Sequence, residues 1–201
     1  MSYIANTAFE ARITNGRFDD LINIAGRYQA SDADADCSAG LLCVRAGQLP
    51  AEGFDNPSGT RVYNENSWIM NAAASTVNAD DVIYACNTYD WQLLSDGRGN
   101  AYSVGHTTLG LGAPAGRNCT FTRIDFDGQS VYRFGVGNMS AAVGDKTFFT
   151  IANGLLVPAA AAPTDAGSIY FELRDTGTFT EGTTNAFTYY DVVAKKVSAA
   201  A

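Results

Sequence analysis

Apolar and polar residues alternate most cleanly at 168–174 (SIYFELR), with Ile169, Phe171 and Leu173 on one side and Tyr170 and Glu172 on the other. A period of two marks a strand with one face in a core and one in solvent. Upstream, residues 147–151 (TFFTI) are aromatic and β-branched, and the apolar run resumes at 155–157 after Ala152, Asn153 and Gly154. An Asn-Gly pair accepts two positive φ angles at low cost, so the two runs predict a β-hairpin. Pro158 and Pro163 then enclose four alanines. Proline cannot donate to a ladder, which predicts an extended connector or sheet-edge crossing, with a short alanine helix as the alternative. Residues 187–193 (FTYYDVV) predict a last strand, after turn signals at Thr176-Gly177 and Glu181-Gly182.

Earlier in the chain, residues 41–45 (LLCVR), 81–86 (DVIYAC), 89–94, 101–104 and 107–111 are short apolar runs set between turn-forming residues. Residues 47–59 form a polar loop with glycine and proline; beyond it, 61–63 and 67–70 are short apolar pieces, and 68–74 suits a helical turn equally well. Residues 119–126 and 129–136 flank Asp127-Gly128, the clearest hairpin signal in the chain. Turns every 8 to 20 residues or so, with no long helical period between them, predict an all-β sandwich or barrel.

The N-terminal stretch differs. Phe18, Leu21, Ile22 and Ala25 fall at the spacing of one helical face, between Asn15-Gly16 and Gly26. That predicts a helix of two to three turns, too short to be stable without packing. The expected organisation is therefore an arm with a short helix over residues 1–35, a β-rich domain over 36–197 and a flexible tail at 198–201. The fold class is mainly β, a single sandwich- or barrel-like domain.

Composition narrows the function. Charged residues are 17% of the chain, below the roughly 25% of ordinary soluble domains, which suits a surface docked against partners as well as a merely β-rich composition. The net charge is −8 and no basic cluster exceeds Lys195-Lys196, so a nucleic-acid footprint is not expected. Neither an apolar run long enough to span a membrane nor a charged-then-apolar leader after Met1 is present, so no membrane partner is expected.

Four cysteines, Cys37, Cys43, Cys86 and Cys119, are scattered along the chain. Zinc sites ordinarily show paired short spacings, so the expectation is four buried reduced thiols and no metal, although a Cys37–Cys43 bridge is conceivable. Asp32, Asp34 and Asp36 match the first three ligand positions of a calcium loop, but Cys37 stands where glycine is needed and Cys43 where a bidentate glutamate should be. The single histidine, His106, has no recognisable nucleophile beside it, and no G-x-S-x-G elbow or phosphate loop occurs. No catalytic residues and no cofactor are expected. Trp68, Trp91, Tyr89 and Tyr132 could stack on sugars if they lined a groove, although aromatics in β domains are more often core.

The phrases GLLVPAAAAPTDAG and SIYFELRDTGTFTEG across 154–182, with TLGLGAPAG at 108–116 and RFGVGN at 133–138, resemble those of small head accessory proteins of tailed bacteriophages, the capsid decoration or cement proteins. The resemblance extends in texture over residues 36 to 197, but lambda-type members are much shorter than 201 residues. It implies a non-enzymatic virion protein, assembled in the bacterial host cytoplasm, that stabilises the head surface by bridging major capsid protein subunits. It also implies a homotrimer with an N-terminal arm that orders on the capsid. Tyr3, Ile4 and Phe9 are the candidate capsid contacts, unless they pack on their own domain. A tail-tube or head-fibre component and a carbohydrate-binding surface domain are the alternative readings.

Overall fold

The computed structural model describes residues 7–12, 22–50, 63–74, 82–87, 93–95, 101–103, 112–113, 115–181 and 185–198. In chain order the strands are β1 (Phe9–Arg12), β2 (Asn23–Ala30), β3 (Ala33–Asp34), β4 (Cys37–Ser38), β5 (Leu42–Pro50), β6 (Tyr63–Ala72), β7 (Ile83–Cys86) and β8 (Leu93–Ser95). They continue with β9 (Ala101–Ser103), β10 (Gly112–Ala113), β11 (Cys119–Arg123), β12 (Val131–Gly135), β13 (Phe148–Ala152), β14 (Leu155–Ala159), β15 (Ile169–Glu181) and β16 (Asn185–Lys196). A 3-10 turn, Val136–Asn138, follows β12. The protein is mainly β, as its periodicity predicts.

Two sheets make up the body. One is antiparallel, in the order β1-β12-β16-β15-β13-β14. The other runs β11-β7-β5-β6-β2-β3 and closes on itself because β11 also pairs with β2, giving a five-stranded barrel with β3 appended. The pairing of β2 with β6 is parallel; the other barrel pairings are antiparallel.

Strand alternation assigns the faces. On β5 and β7, Leu42, Ile83 and Ala85 belong to the large core shared with the six-stranded sheet, where they meet Phe134, Phe149, Phe171 and Val192. Their neighbours Cys43, Tyr84 and Cys86 point the other way, into the barrel, with Met70, Cys119 and Phe121. β7 is accordingly buried at all four positions, so it carries no polar alternation.

The Asn153-Gly154 hairpin forms as its residues predict, with φ of 50° and 76°. Two positive φ values match the turn whose twist suits a two-residue hairpin. The tip also joins the sheets: Gly154 N–H donates to Ala73 O and Leu42 N–H donates to Gly154 O, both at 2.9 Å. A Cβ on Gly154 would lie 2.7 Å from Leu41 Cδ1, so glycine serves both the turn and the close approach. Pro158 sits in β14, an edge strand, where its missing N–H leaves no ladder bond unmade. Ile169 and Phe171 are buried, as the alternation in β15 predicts.

Four expectations are corrected. Ala25, on the predicted helical face, lies in β2, and Ile22 immediately precedes that strand; Phe18 and Leu21 lie outside the described residues. A strand bonded on both sides as it closes a barrel satisfies more backbone groups than a short marginal helix can. Over residues 9–12 and 23–30 the N-terminal segment is therefore built into the two sheets instead of standing apart as an arm. Asp127-Gly128 does form a tight turn, with Gly128 at φ 71°, but it is no hairpin: β11 belongs to the barrel and β12 to the other sheet. At Thr176-Gly177 the chain does not turn, and β15 runs on to Glu181 with only a register shift between Leu173 and Asp175. Finally, β5 and β6 extend through residues expected to be loop or helical turn.

Candidate functional site

Within the barrel the four cysteines converge. Cys86 closes β7 and lies opposite Phe121 of β11, two residues from Cys119, so Cys86 and Cys119 are diagonal neighbours on one face. Cys43 begins the inward face of β5, opposite Tyr84. Cys37, in the short β4, is brought over the same end of the barrel by a tight turn: Gly40 N–H donates to Cys86 O, Cys86 N–H donates to Leu41 O, and Gly40 has φ 75°. The sulfurs of Cys37, Cys86 and Cys119 all lie within 4.8 Å of one another. Cys43 belongs to the same buried cluster but is not one of these three closely spaced sulfurs.

All four are thiols, buried, and in no disulfide. Their bonds to backbone are long: Cys43 Sγ donates to Leu41 O and Cys119 Sγ to Arg117 O at 3.7 Å, and Cys37 Sγ to Ser38 O at 4.0 Å. The neighbouring thiols of Cys119, Cys43 and Cys86, together with burial, raise the pKa of Cys37 well above the ordinary thiol value. That of Cys119 is raised too: the Cys37 thiol pulls it down, but the Cys86 thiol and burial outweigh it. Such thiols stay protonated and are poor nucleophiles as they stand. Tyr28 packs against the cluster, its phenol pKa raised by burial and by Cys43 and Cys37. Gly26 lies beside Cys119 in the ladder, and a Cβ there would be 2.7 Å from Met70 Cγ. The wall around the sulfurs is therefore closely packed.

The other candidate residues do not assemble into a site. Asp34 accepts from Arg27 Nη1 at 3.3 Å and Gln29 Nε2 at 3.0 Å, while Asp36 accepts from Ala115 N–H at 2.9 Å. These carboxylates brace the loop, with Ser31 and Asp32 at positive φ. Among the described residues, the cysteines are the only group of acidic, cysteine or histidine side chains arranged to hold a metal. Tyr132 is 1% exposed and its hydroxyl accepts the Asp125 N–H; burial pushes its phenol up to about 12. Trp68 is half-buried with the Arg45 guanidinium 4.6 Å from its ring centre. His106, Trp91 and Tyr89 lie outside the described residues.

Of the candidate capsid contacts, Tyr3 and Ile4 lie outside the described residues. Phe9 is fully buried in β1, its ring 5.4 Å from Phe134 and 6.2 Å from Tyr132. It packs on its own domain, a burial worth roughly 1.5–3 kcal/mol.

The longest paired strands among the described residues are β15 and β16, which form a ribbon. β12 pairs with β16 only at Tyr189 to Val193, and β13 pairs with β15 only at Phe171 and Glu172. Among the described residues, from Thr178 to Glu181 and from Asn185 to Thr188 the two strands pair only with each other. At its base Arg133 makes a two-pronged ion pair with Asp191, both contacts 2.7 Å, and stacks 3.7 Å from the Tyr189 ring centre. No helix among the described residues is long and apolar enough to cross a membrane. Comparison with protein-family models, curated proteins and solved structures finds no match.

Proposed function

We propose that this chain is a non-enzymatic virion protein that decorates the head of a tailed bacteriophage and stabilises it by bridging major capsid protein subunits, as a homotrimer on the capsid surface. The observation that carries the reading is the β15–β16 ribbon, whose far end pairs with no other strand among the described residues. A two-stranded ribbon is marginal in water without a third strand or a packed face, and among the described residues no strand pairs with the outer edge of β15 beyond Leu173, which leaves that edge open to strand addition. The other two edges of that sheet are less available: β14 carries Pro158 and β1 is four residues long. Repetition of such a contact over a symmetric shell makes modest individual affinities collectively strong. The phrase-level resemblance at 108–116, 133–138 and 154–182 supports the same role. A sugar-binding surface is less favoured, because Tyr132 is core and Trp68 is covered by Arg45.

Co-sedimentation with expanded, undecorated heads tests the proposal, using full-length protein and two variants. One replaces residues 178–188 with Asn-Gly, closing the hairpin at the Gly177–Tyr189 pair; the other lacks residues 2–6, a deletion that stops short of the buried Phe9. Binding that saturates at a symmetry-related stoichiometry and is lost on shortening the ribbon supports the reading. Loss with the N-terminal deletion adds Tyr3 and Ile4 as contacts. A folded protein that ignores the capsid refutes it, and a glycan array then examines the sugar-binding alternative.

A further inference from the structure

We infer that Cys37, Cys86 and Cys119, completed by Cys43, form a tetrahedral thiolate site for a structural zinc ion inside the barrel. Three of the chain's four cysteines are in this one group, and the fourth, Cys43, belongs to the same buried cluster. They come from four different strands, and the turn at Gly40 brings the Cys37 segment over the barrel end where the other three already face inward.

Hydrophobic burial alone does not account for the convergence. A cysteine buries less apolar surface than valine or leucine, so four thiols pooled at one point fill a core less effectively than aliphatics would. The thiols of Cys37, Cys43 and Cys119 make only long hydrogen bonds to nearby carbonyls, at 3.7–4.0 Å. Metal coordination does account for it. A zinc ion with Zn–S bonds of about 2.3 Å holds its sulfurs roughly 3.8 Å apart, and three of them already lie within 4.8 Å. Cys43 lies outside that trio but in the same buried cluster, so its side chain must turn toward the other three sulfurs to supply the fourth ligand.

Binding is written as four thiols plus Zn²⁺ giving a tetrathiolate complex of net charge −2 and four protons released to solvent, with no change of oxidation state. Thiolate is the ligating form, so binding of the ion must be coupled to that deprotonation. Tyr28 packs against the same buried cluster. The ion would tie β4 to β5, β7 and β11, closing a loop across the first half of the chain.

The test uses tag-free full-length protein purified from zinc-replete medium. Elemental analysis is expected to give about one zinc per chain. Replacing zinc with Co²⁺ is expected to produce the sulfur-to-metal charge-transfer and visible bands of a tetrahedral thiolate site. Chelation of the wild-type protein should lower its thermal midpoint, and zinc should restore it. Cys37→Ser and Cys119→Ser should bind less than about a tenth of the wild-type metal. Since those variants could also fail to fold, thiol titration of the native wild-type protein provides a second readout: all four thiols protected in the zinc form and reactive after chelation. Iron in place of zinc, a disulfide in the folded protein, or metal-free wild type with no cobalt spectrum and no zinc-dependent midpoint each overturns the inference.

Discussion

Replacing Asn138 with alanine removes one amide from the point where the two sheets and the N-terminal strand meet. Its Oδ1 accepts the Ala8 and Gly135 N–H groups, each at 3.0 Å, and its Nδ2 donates to Ala39 O at 2.8 Å. Asn138 is 1% exposed and Ala39 2%, so little water reaches these groups. Gly135 N–H keeps a second approach to Ala8 O at 3.3 Å, which leaves the Ala8 N–H and the Ala39 carbonyl as the groups losing this partner. At about 1–3 kcal/mol for each stranded buried group, Asn138→Ala should cost about 4 kcal/mol. Urea unfolding followed by tryptophan fluorescence measures this as a lower midpoint at unchanged slope. Gly40 provides a check on the mechanism. A Cβ there would stand 2.5 Å from Asn138 Nδ2 and 2.7 Å from Ala8 O, at φ 75°. Gly40→Ala should therefore cost less in the Asn138→Ala background, where the amide clash is gone, yet remain destabilising through backbone strain. A loss under about 1 kcal/mol for Asn138→Ala, or strict additivity of the two variants, would refute this account of the junction.

Two further predictions concern charge. Arg133→Met alone strands the Asp191 carboxylate, which is 7% exposed, and should cost about 3–5 kcal/mol, most of it recovered when Asp191→Leu is added; a double variant no more stable than the single one would contradict this. Asp127 is affected by burial, which raises its pKa, but the N–H groups of Ser130 and Gln129 and the Ser130 hydroxyl outweigh it and hold the carboxyl below 3.8. A depressed folded value makes its contribution present above the unfolded pKa and lost as pH falls through the folded one. Asp127→Asn should thus be less stable than wild type at neutral pH, with the gap closing on acidification to about pH 2. Paired unfolding curves across that range decide it, and a gap independent of pH would count against the reading.

Local patterns were legible where one face of a strand meets solvent. The alternation at 168–174 and the Asn-Gly pair at 153–154 involve only neighbouring residues, so β15 and the β13–β14 hairpin could be read directly. β7 was recognised as an apolar run, but its burial against both sheets erased the alternation that would have assigned its faces. The Asp127-Gly128 turn was identified correctly and its partners were not, because a turn fixes the local path while burial of distant surfaces chooses which strands pair. The helical spacing of Phe18, Leu21, Ile22 and Ala25 misled for a related reason: Ala25 closes a barrel between β6 and β11, a requirement no local window contains.

The cysteines mark the same boundary. Sequence alone determined a β-rich chain, its principal turns, an acidic charge balance and a complement of four thiols without paired spacing. Only the tertiary structure decided that β2 closes a five-stranded barrel, that Phe9 belongs to the core, and that Cys37, Cys43, Cys86 and Cys119 face one another. Turn chemistry and side-chain period act over a few residues and are written in order along the chain. Barrel closure and metal-ligand convergence are non-local, set by which long-range pairings bury enough surface to offset the entropy of closing the loops between them.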